Sequence, residues 1–254
     1  MARWADRAGA ARADHPHERI AYGTGPREVL DLFIPGGQPD APVAVFLHGG
    51  YWQALEGAAF HGIAPALLSH GVALAIPTYD LAPTVSLGRI LRQVRTATEL
   101  IRERTGYRPL VFGHSAGGHM AAALLSEGRA GASVAISGVF DLAPLLETSL
   151  NEALQLDPLM ANALSPIHWP VPDGSSPGGT TLDCWVGAEE SAEFRRQSHA
   201  MAERWGAGGA DASVRELPGL NHFTVLDPLF DAGSPEVARL VQLAHETSRE
   251  AAPA

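Results

Sequence analysis

Residues Gly113-His114-Ser115-Ala116-Gly117 stand between a short apolar run, Pro109-Leu110-Val111-Phe112, and an alanine-rich stretch from Gly118 to Glu127. This order of strand, glycine-bounded turn and helix is the strongest local constraint on the chain. A serine at the apex of so sharp a turn needs small residues on both sides. The turn lifts its hydroxyl clear of the sheet and leaves the next backbone N–H free to bind an oxyanion, the arrangement of a nucleophile elbow.

A second apolar run, Val43-Ala44-Val45-Phe46-Leu47, leads directly into His48-Gly49-Gly50-Tyr51-Trp52. Two glycines after a buried strand let the backbone turn back and aim its N–H groups at one spot. The amides of Gly50, Tyr51 and Ala116 are therefore the expected oxyanion donors. Downstream, Leu217-Pro218-Gly219-Leu220-Asn221-His222-Phe223 follows an expected strand over 213–217. A histidine there fits the chain order nucleophile, acid, base of serine hydrolases with this alternation, and His222 is the expected base. The acid should lie on the loop after the strand Thr181 to Val186, in Gly187-Ala188-Glu189-Glu190-Ser191. Glu190 is the favoured carboxylate. Spacing does not separate it from Glu189, and both also suit the N-terminus of a helix over 191–205, where negative charge is favourable.

The chain resembles the kynurenine formamidase (arylformamidase) group of α/β-hydrolases, which carries HGGYW near its start and GHSAGGH at its elbow. The matching segments run from Tyr22-Gly23 and Leu30-Asp31 through His48 to Trp52, Pro77-Thr78-Tyr79 with Leu81-Ala82-Pro83, Gln93-Val94-Arg95 and Gly113 to His119. They continue through Ser137 to Leu142, Thr148 to Asn151, Ser165-Pro166, Val186-Gly187 and Glu193-Phe194 with Arg196 to Ser198, ending at Asn221-His222-Phe223. The resemblance implies Ser115 as nucleophile and His222 as base. It implies Glu190 as acid, because the family's aspartate directly precedes a Ser-x-Glu-Phe run. Here that residue is glutamate, and Ala192 stands where proline is usual. The extra methylene moves the carboxylate, which leaves Asp183, on the strand itself, as the fallback. The activity implied is hydrolysis of N-formyl-L-kynurenine to L-kynurenine and formate through a formyl-enzyme.

Length and patterning agree with one domain over 1–254, since a large α/β domain commonly reaches this size undivided. Apolar runs near 28–34, 43–47, 72–76, 109–112, 132–137, 181–186 and 213–217 alternate with helical segments near 57–69, 86–104, 117–127, 191–205 and 235–249. This predicts a doubly wound α/β sheet, mostly parallel, and the resemblance implies that it is an α/β-hydrolase fold. Residues 139–170 interrupt the alternation and should form a small helical lid. The proline-, glycine- and serine-rich stretch from Ser165 to Thr180 reads as a surface loop.

Other chemistries find no support. The sequence contains no lysine, which removes a Ser–Lys dyad, a Schiff base and a P-loop lysine together. Neither an HExxH motif nor a cysteine cluster occurs, so no metal and no cofactor is expected. A net charge of −10 gives no reason to expect nucleic acid or an anionic membrane as partner. The expected partner is a small-molecule substrate, with a homodimer left open. The single cysteine, Cys184, and the charged, interrupted segment 1–19 point to a cytoplasmic chain without signal peptide or anchor.

Substrate contacts are the least determined. Tyr51 and Trp52 would shrink the acyl pocket to one-carbon size and offer a flat wall to an arylamine, with Tyr79 and Phe140 as further wall residues. All four equally suit packing. Ser149 and Asn151 on the lid would recognise an amino-acid head group, although both residue types also favour helix capping. Arg196 suits a partner for Glu193 better than a substrate contact. Two further readings stay open: a short-chain carboxylesterase with broad aryl and alkyl specificity using the same triad, and a non-catalytic hydrolase-fold binding protein. The presence of Ser115 and His222 with their supporting loops argues against the latter.

Overall fold

Continuous apolar runs become the interior of an eight-stranded sheet, in a computed structural model that describes residues 2–172 and 180–249. The strands are β1 (His17–Ala21), β2 (Val29–Phe33), β3 (Val43–Leu47), β4 (Ala73–Thr78), β5 (Leu110–His114), β6 (Ala132–Ile136), β7 (Thr181–Gly187) and β8 (Asp211–Leu217). Their spatial order is β1-β2-β4-β3-β5-β6-β7-β8. The pairs β1–β2 and β2–β4 are antiparallel, and every pair from β4–β3 to β7–β8 is parallel. This is the mostly parallel sheet expected from the alternation and the fold that the resemblance implies.

Strands buried on both faces alternate side chains between two cores. Val45, Leu47, Val111, Ala135 and Cys184 face one core, with Ile90, Val94, Met120 and Trp205. Phe46, Phe112, Val134, Ile136 and Trp185 face the other, with Trp4, Phe60 and Leu240. The helices that supply these covers are α1 (Ala2–Asp14), α2 (Ala64–Leu68), α3 (Leu87–Thr105), α4 (Ala116–Ser126), α5 (Asn151–Leu154), α6 (Pro158–Ala163), α7 (Ala192–Ala207) and α8 (Pro235–Arg249). In α3, buried Leu87, Ile90, Leu91, Val94 and Ile101 recur at helical spacing. Ser86 accepts from the Arg89 N–H at its start, and Gly106 ends it in the left-handed region at φ 80. Among the described residues, no helix is long and apolar enough to cross a membrane.

The structure adds elements that the sequence reading lacked. Helix α1 was missed because it is short on large apolar residues, yet Trp4, Ala8 and Ala11 are buried at spacings of one helical face. Edge strand β1 was missed because its exposed Glu18 and Arg19 give it no apolar alternation, as suits an edge exposed to solvent. The expected helix over 57–69 is split into a 3₁₀ segment, Gly57–Ile63, and α2, with Pro65 at the start of the latter. Residues 139–170 contain 3₁₀ turns at Ala143–Glu147 and Pro166–His168 together with α5 and α6, as a small helical lid should. Of the loop expected over 165–180, residues 173–179 lie outside the described residues.

The sheet order reverses beside β3: the chain passes from β3 to β4 on one side, then returns to place β5 on the other. Crevices for ligands form at such a switch point, beyond the carboxyl ends of the strands. Leu47 pairs with Gly113 and His114 with Ile136, so the segments leaving β3, β5 and β6 emerge side by side. Gly187 pairs with Leu217, which brings the loops after β7 and β8 to the same edge.

Candidate active site

Ser115 lies between the last residue of β5 and the first of α4, at φ 56 and ψ −116. A non-glycine residue in this region is strained, and the surrounding packing holds it there. Its N–H donates to the Ile136 carbonyl at 2.8 Å. A Cβ on Gly117 would overlap the Leu47 carbonyl, so the first turn of α4 can lie against β3 only with glycine at that position. Gly49 is similarly close: a Cβ there would stand 3.1 Å from the Ser115 Cβ.

The His48–Trp52 segment turns through the left-handed region, with φ 108 at Gly50, 49 at Tyr51 and 58 at Trp52. The Gln53 and Ala54 amides close the turn on the Gly50 carbonyl at 2.9 and 3.1 Å. Ala116 opens α4, so its N–H has no acceptor one turn earlier in the helix and sits at the positive end of the dipole. A backbone of this kind can gather N–H groups around a developing oxyanion.

Among the weighed carboxylates, Glu190 is the one brought to His222. Its Oε2 lies 2.7 Å from His222 Nδ1. Its Oε1 accepts from the Gly187 N–H at 2.8 Å and from the Ser137 hydroxyl at 2.5 Å. The carboxylate is wholly buried and His222 is one-fifth exposed. Glu189 is exposed, and its backbone N–H donates to Leu220. Asp183 sits near the opposite end of β7, where Arg239 Nε donates to it at 2.8 Å and Ser213 Oγ at 2.9 Å. The glutamate's extra methylene is thus accommodated by a carboxylate held from two sides.

His114 and His222 have ring centroids 4.7 Å apart, and the His114 Nε2–H donates to the His222 carbonyl at 2.8 Å. Burial, aided by the charge His222 can carry, pushes the His114 pKa down to about 3. His48 and His119 are likewise held down to about 4 by burial. His119 donates to the Leu164 carbonyl at 2.8 Å, tying α4 to the lid, and Gln53 donates to Leu150 at 3.0 Å from the HGGYW turn.

These neutral rings set an acid limit on stability. A histidine with a lowered folded pKa binds its proton in the unfolded chain first, so its contribution is full above the ordinary value of 6.5 and is lost as pH falls below it. At about pH 5 the loss should approach roughly 2 kcal/mol for each ring. The urea midpoint is expected to fall steadily from neutral pH towards about pH 5 and to fall less in His119→Gln. A flat midpoint over that range would contradict the burial argument.

Of the four residues expected to form an aromatic wall, three pack in the interior. Trp52, Tyr79 and Phe140 are fully buried. Tyr79 stacks on His48 at 4.1 Å and its hydroxyl donates to the His48 carbonyl at 2.7 Å. Trp52 meets the edge of His119 at 5.0 Å, and the Phe140 ring covers Gly138. Tyr51 alone of the four is half-buried. The rings beside His222 are instead Phe194, at 4.3 Å, and exposed Phe223, at 5.8 Å. Sequence reasoning left both unassigned, although each is adjacent to a residue it had singled out. Ser149 is exposed, whereas Asn151 is engaged inside the lid, accepting from the Leu156 N–H at 2.7 Å and donating to its carbonyl at 3.0 Å. Arg196 pairs with Glu193 at 2.7 Å.

One group of described residues has metal-ligating atoms within 4.8 Å of one another: His17, Asp31 and His61. They lie on β1, β2 and the 3₁₀ segment over 57–63, away from the loops that carry Ser115, Glu190 and His222. The Arg19 guanidinium already donates to both Asp31 oxygens, at 2.9 and 3.3 Å, and His61 Nε2 lies 2.9 Å from Oδ2. That fork supplies the counter-charge a cation would bring.

Comparison with known proteins agrees with the fold. A profile of the α/β-hydrolase fold family matches residues 44–226. The chain is 30% identical over 224 residues to kynurenine formamidase of Salmo salar, spanning 84% of this chain and 76% of that protein. It is 29% identical over 227 residues to kynurenine formamidase of Drosophila melanogaster, spanning 83% and 75%. Among solved structures it is similar to a candidate thioesterase from Silicibacter sp. tm1040, with TM-score 0.83 and 33% identity over 93% of this chain and 90% of that one. Carboxyl esterase 2 of Tuber melanosporum shares the fold at TM-score 0.72 and 16% identity, over 94% and 88% of the two chains.

Proposed function

Because the chain belongs to the kynurenine formamidase-like α/β-hydrolases, we propose that it is a serine hydrolase acting on an aryl formamide, N-formyl-L-kynurenine, and releasing L-kynurenine and formate. The observation that carries the proposal is the 2.7 Å His222–Glu190 hydrogen bond on loops that leave the same sheet edge as the Ser115 elbow.

In this reading His222 Nε2 takes the Ser115 proton as Oγ attacks the formyl carbon. The oxyanion is held by the amides of Gly50, Tyr51 and Ala116. The imidazolium then protonates the arylamine nitrogen as the C–N bond breaks, leaving a formyl-enzyme. Water, deprotonated by His222, releases formate and restores the serine. Glu190 holds the Nδ1–H tautomer and stabilises the imidazolium. His114, kept neutral by burial, does not compete for the proton.

Since the leaving nitrogen must come within hydrogen-bond reach of His222, the aryl group lies on the His222 side. Phe194 and Phe223 then form the aromatic wall, with Tyr51 toward the oxyanion turn. The kcat/KM for N-formyl-L-kynurenine is expected to exceed that for p-nitrophenyl acetate at least about tenfold, and p-nitrophenyl esters should lose activity as the acyl chain lengthens. Faster hydrolysis of acetyl or longer esters than of the formamide would reject the formamide reading. It would favour a short-chain ester or thioester hydrolase, a second reading supported by the 33% identical candidate thioesterase.

A further inference from the structure

Ser137 follows β6 and has no part in the steps above. Its side chain is fully buried, and its hydroxyl reaches across to Glu190 Oε1 at 2.5 Å. The hydroxyl donates and the carboxylate oxygen accepts. A serine commonly bonds to its own neighbouring backbone; this one spans to a residue far along the chain. Its backbone is held at φ 50, where glycine would be unstrained. The turn alone therefore gives no reason for a side chain here.

The same dipeptide ties together the flanking strands. The Ile136 carbonyl accepts from the Ser115 N–H at 2.8 Å, and the Ser137 N–H donates to the Trp185 carbonyl of β7 at 2.6 Å. Ser137 thus stands on a rigid bridge between the elbow and the strand that leads to Glu190. A glutamate has one more torsion than an aspartate, and its carboxylate sweeps a wider arc. Two donors, the Ser137 hydroxyl after β6 and the Gly187 N–H at the end of β7, fix Oε1, and Oε2 is left to His222.

We propose that Ser137 is a positioning residue for the reaction: its hydroxyl holds Glu190 Oε1 so that Oε2 faces His222 Nδ1. This rests on the reading of Glu190 as the acid. It does not depend on which acyl group is cleaved, so p-nitrophenyl acetate serves as the probe.

The experiment compares Ser137→Ala and Ser137→Gly in the full chain, and Ser137→Ala again in a Glu190→Ala background. Both single variants should lower kcat about tenfold with KM within about twofold, and both should weaken or shift the downfield proton resonance of the His222–Glu190 bond. Ser137→Gly should fold at least as stably as Ser137→Ala, because glycine relieves the left-handed backbone. In the Glu190→Ala background, Ser137→Ala should cost less than about twofold more. A Ser137→Gly enzyme with parental kcat would overturn the proposal, as would an equal loss from Ser137→Ala in both backgrounds. If Glu190→Ala itself left ester turnover intact, the acid assignment would fail and this inference with it. A chain that cleaved esters but not formamides would leave it standing.

Discussion

A Ser115→Ala chain is expected to lose about 10⁶-fold in kcat towards both p-nitrophenyl acetate and N-formyl-L-kynurenine. The size of the effect follows from what the hydroxyl does in the proposed reaction. It forms the acyl bond, and nothing else at the elbow can replace it. What remains is the oxyanion turn and substrate binding, which together keep roughly 10³- to 10⁴-fold over water. Stability should be little changed, because alanine keeps the Cβ and the residue is buried in a turn whose backbone is fixed by Ile136. The check is steady-state kinetics beside a thermal melt, with pre-steady-state assays for an acyl-enzyme burst in the parent and in the variant. A folded variant that kept more than about one per cent of kcat would mean that another group attacks the substrate.

Replacing Glu190 by glutamine should lower kcat about 10⁴-fold while KM changes little. Glutamine has nearly the same shape but brings two N–H donors into a site whose three contacts are the Ser137 hydroxyl, the Gly187 N–H and His222 Nδ1. If its oxygen faces Ser137 and Gly187, its amide faces His222 and drives the imidazole to the wrong tautomer. If its oxygen faces His222, the amide meets two donors. Asp183→Asn gives the contrast. It removes the charge that pairs with Arg239 and should cost about 2 kcal/mol of stability, yet leave kcat within about twofold. Should Asp183→Asn prove the catalytic loss and Glu190→Gln the silent one, the acid would have been misassigned.

Much of this site was legible as residues in order. The serine elbow, the glycine turn after β3 and the histidine after β8 can be read because backbone chemistry limits which residues tolerate such turns. Gly117 shows the limit directly, since any side chain there would overlap Leu47. The strands were equally legible where they are continuous apolar runs, as in β3 and β5. Helix α1 and strand β1 were not, because Ala8, Ala11 and the charged residues of an edge strand carry little signal until a neighbouring element covers or pairs them. The burial of the rings expected at the wall was hidden for a related reason. Trp52 and Tyr79 look available in a motif, but their rings pack against His119 and His48 and face no solvent.

The sequence by itself determined the alternating sheet and the strained turn at Ser115, since these depend on apolar periodicity and local backbone limits, and it set the order Ser115, Glu190, His222. Which of Glu189, Glu190 and Asp183 comes to lie beside His222 was decided by the tertiary structure. Adjacent glutamates are equivalent along a chain, yet the turn after β7 exposes one and buries the other against Ser137 and His222. A hydrogen bond is set by direction and distance in space, and those follow from the pairing of β6, β7 and β8 rather than from spacing along the chain.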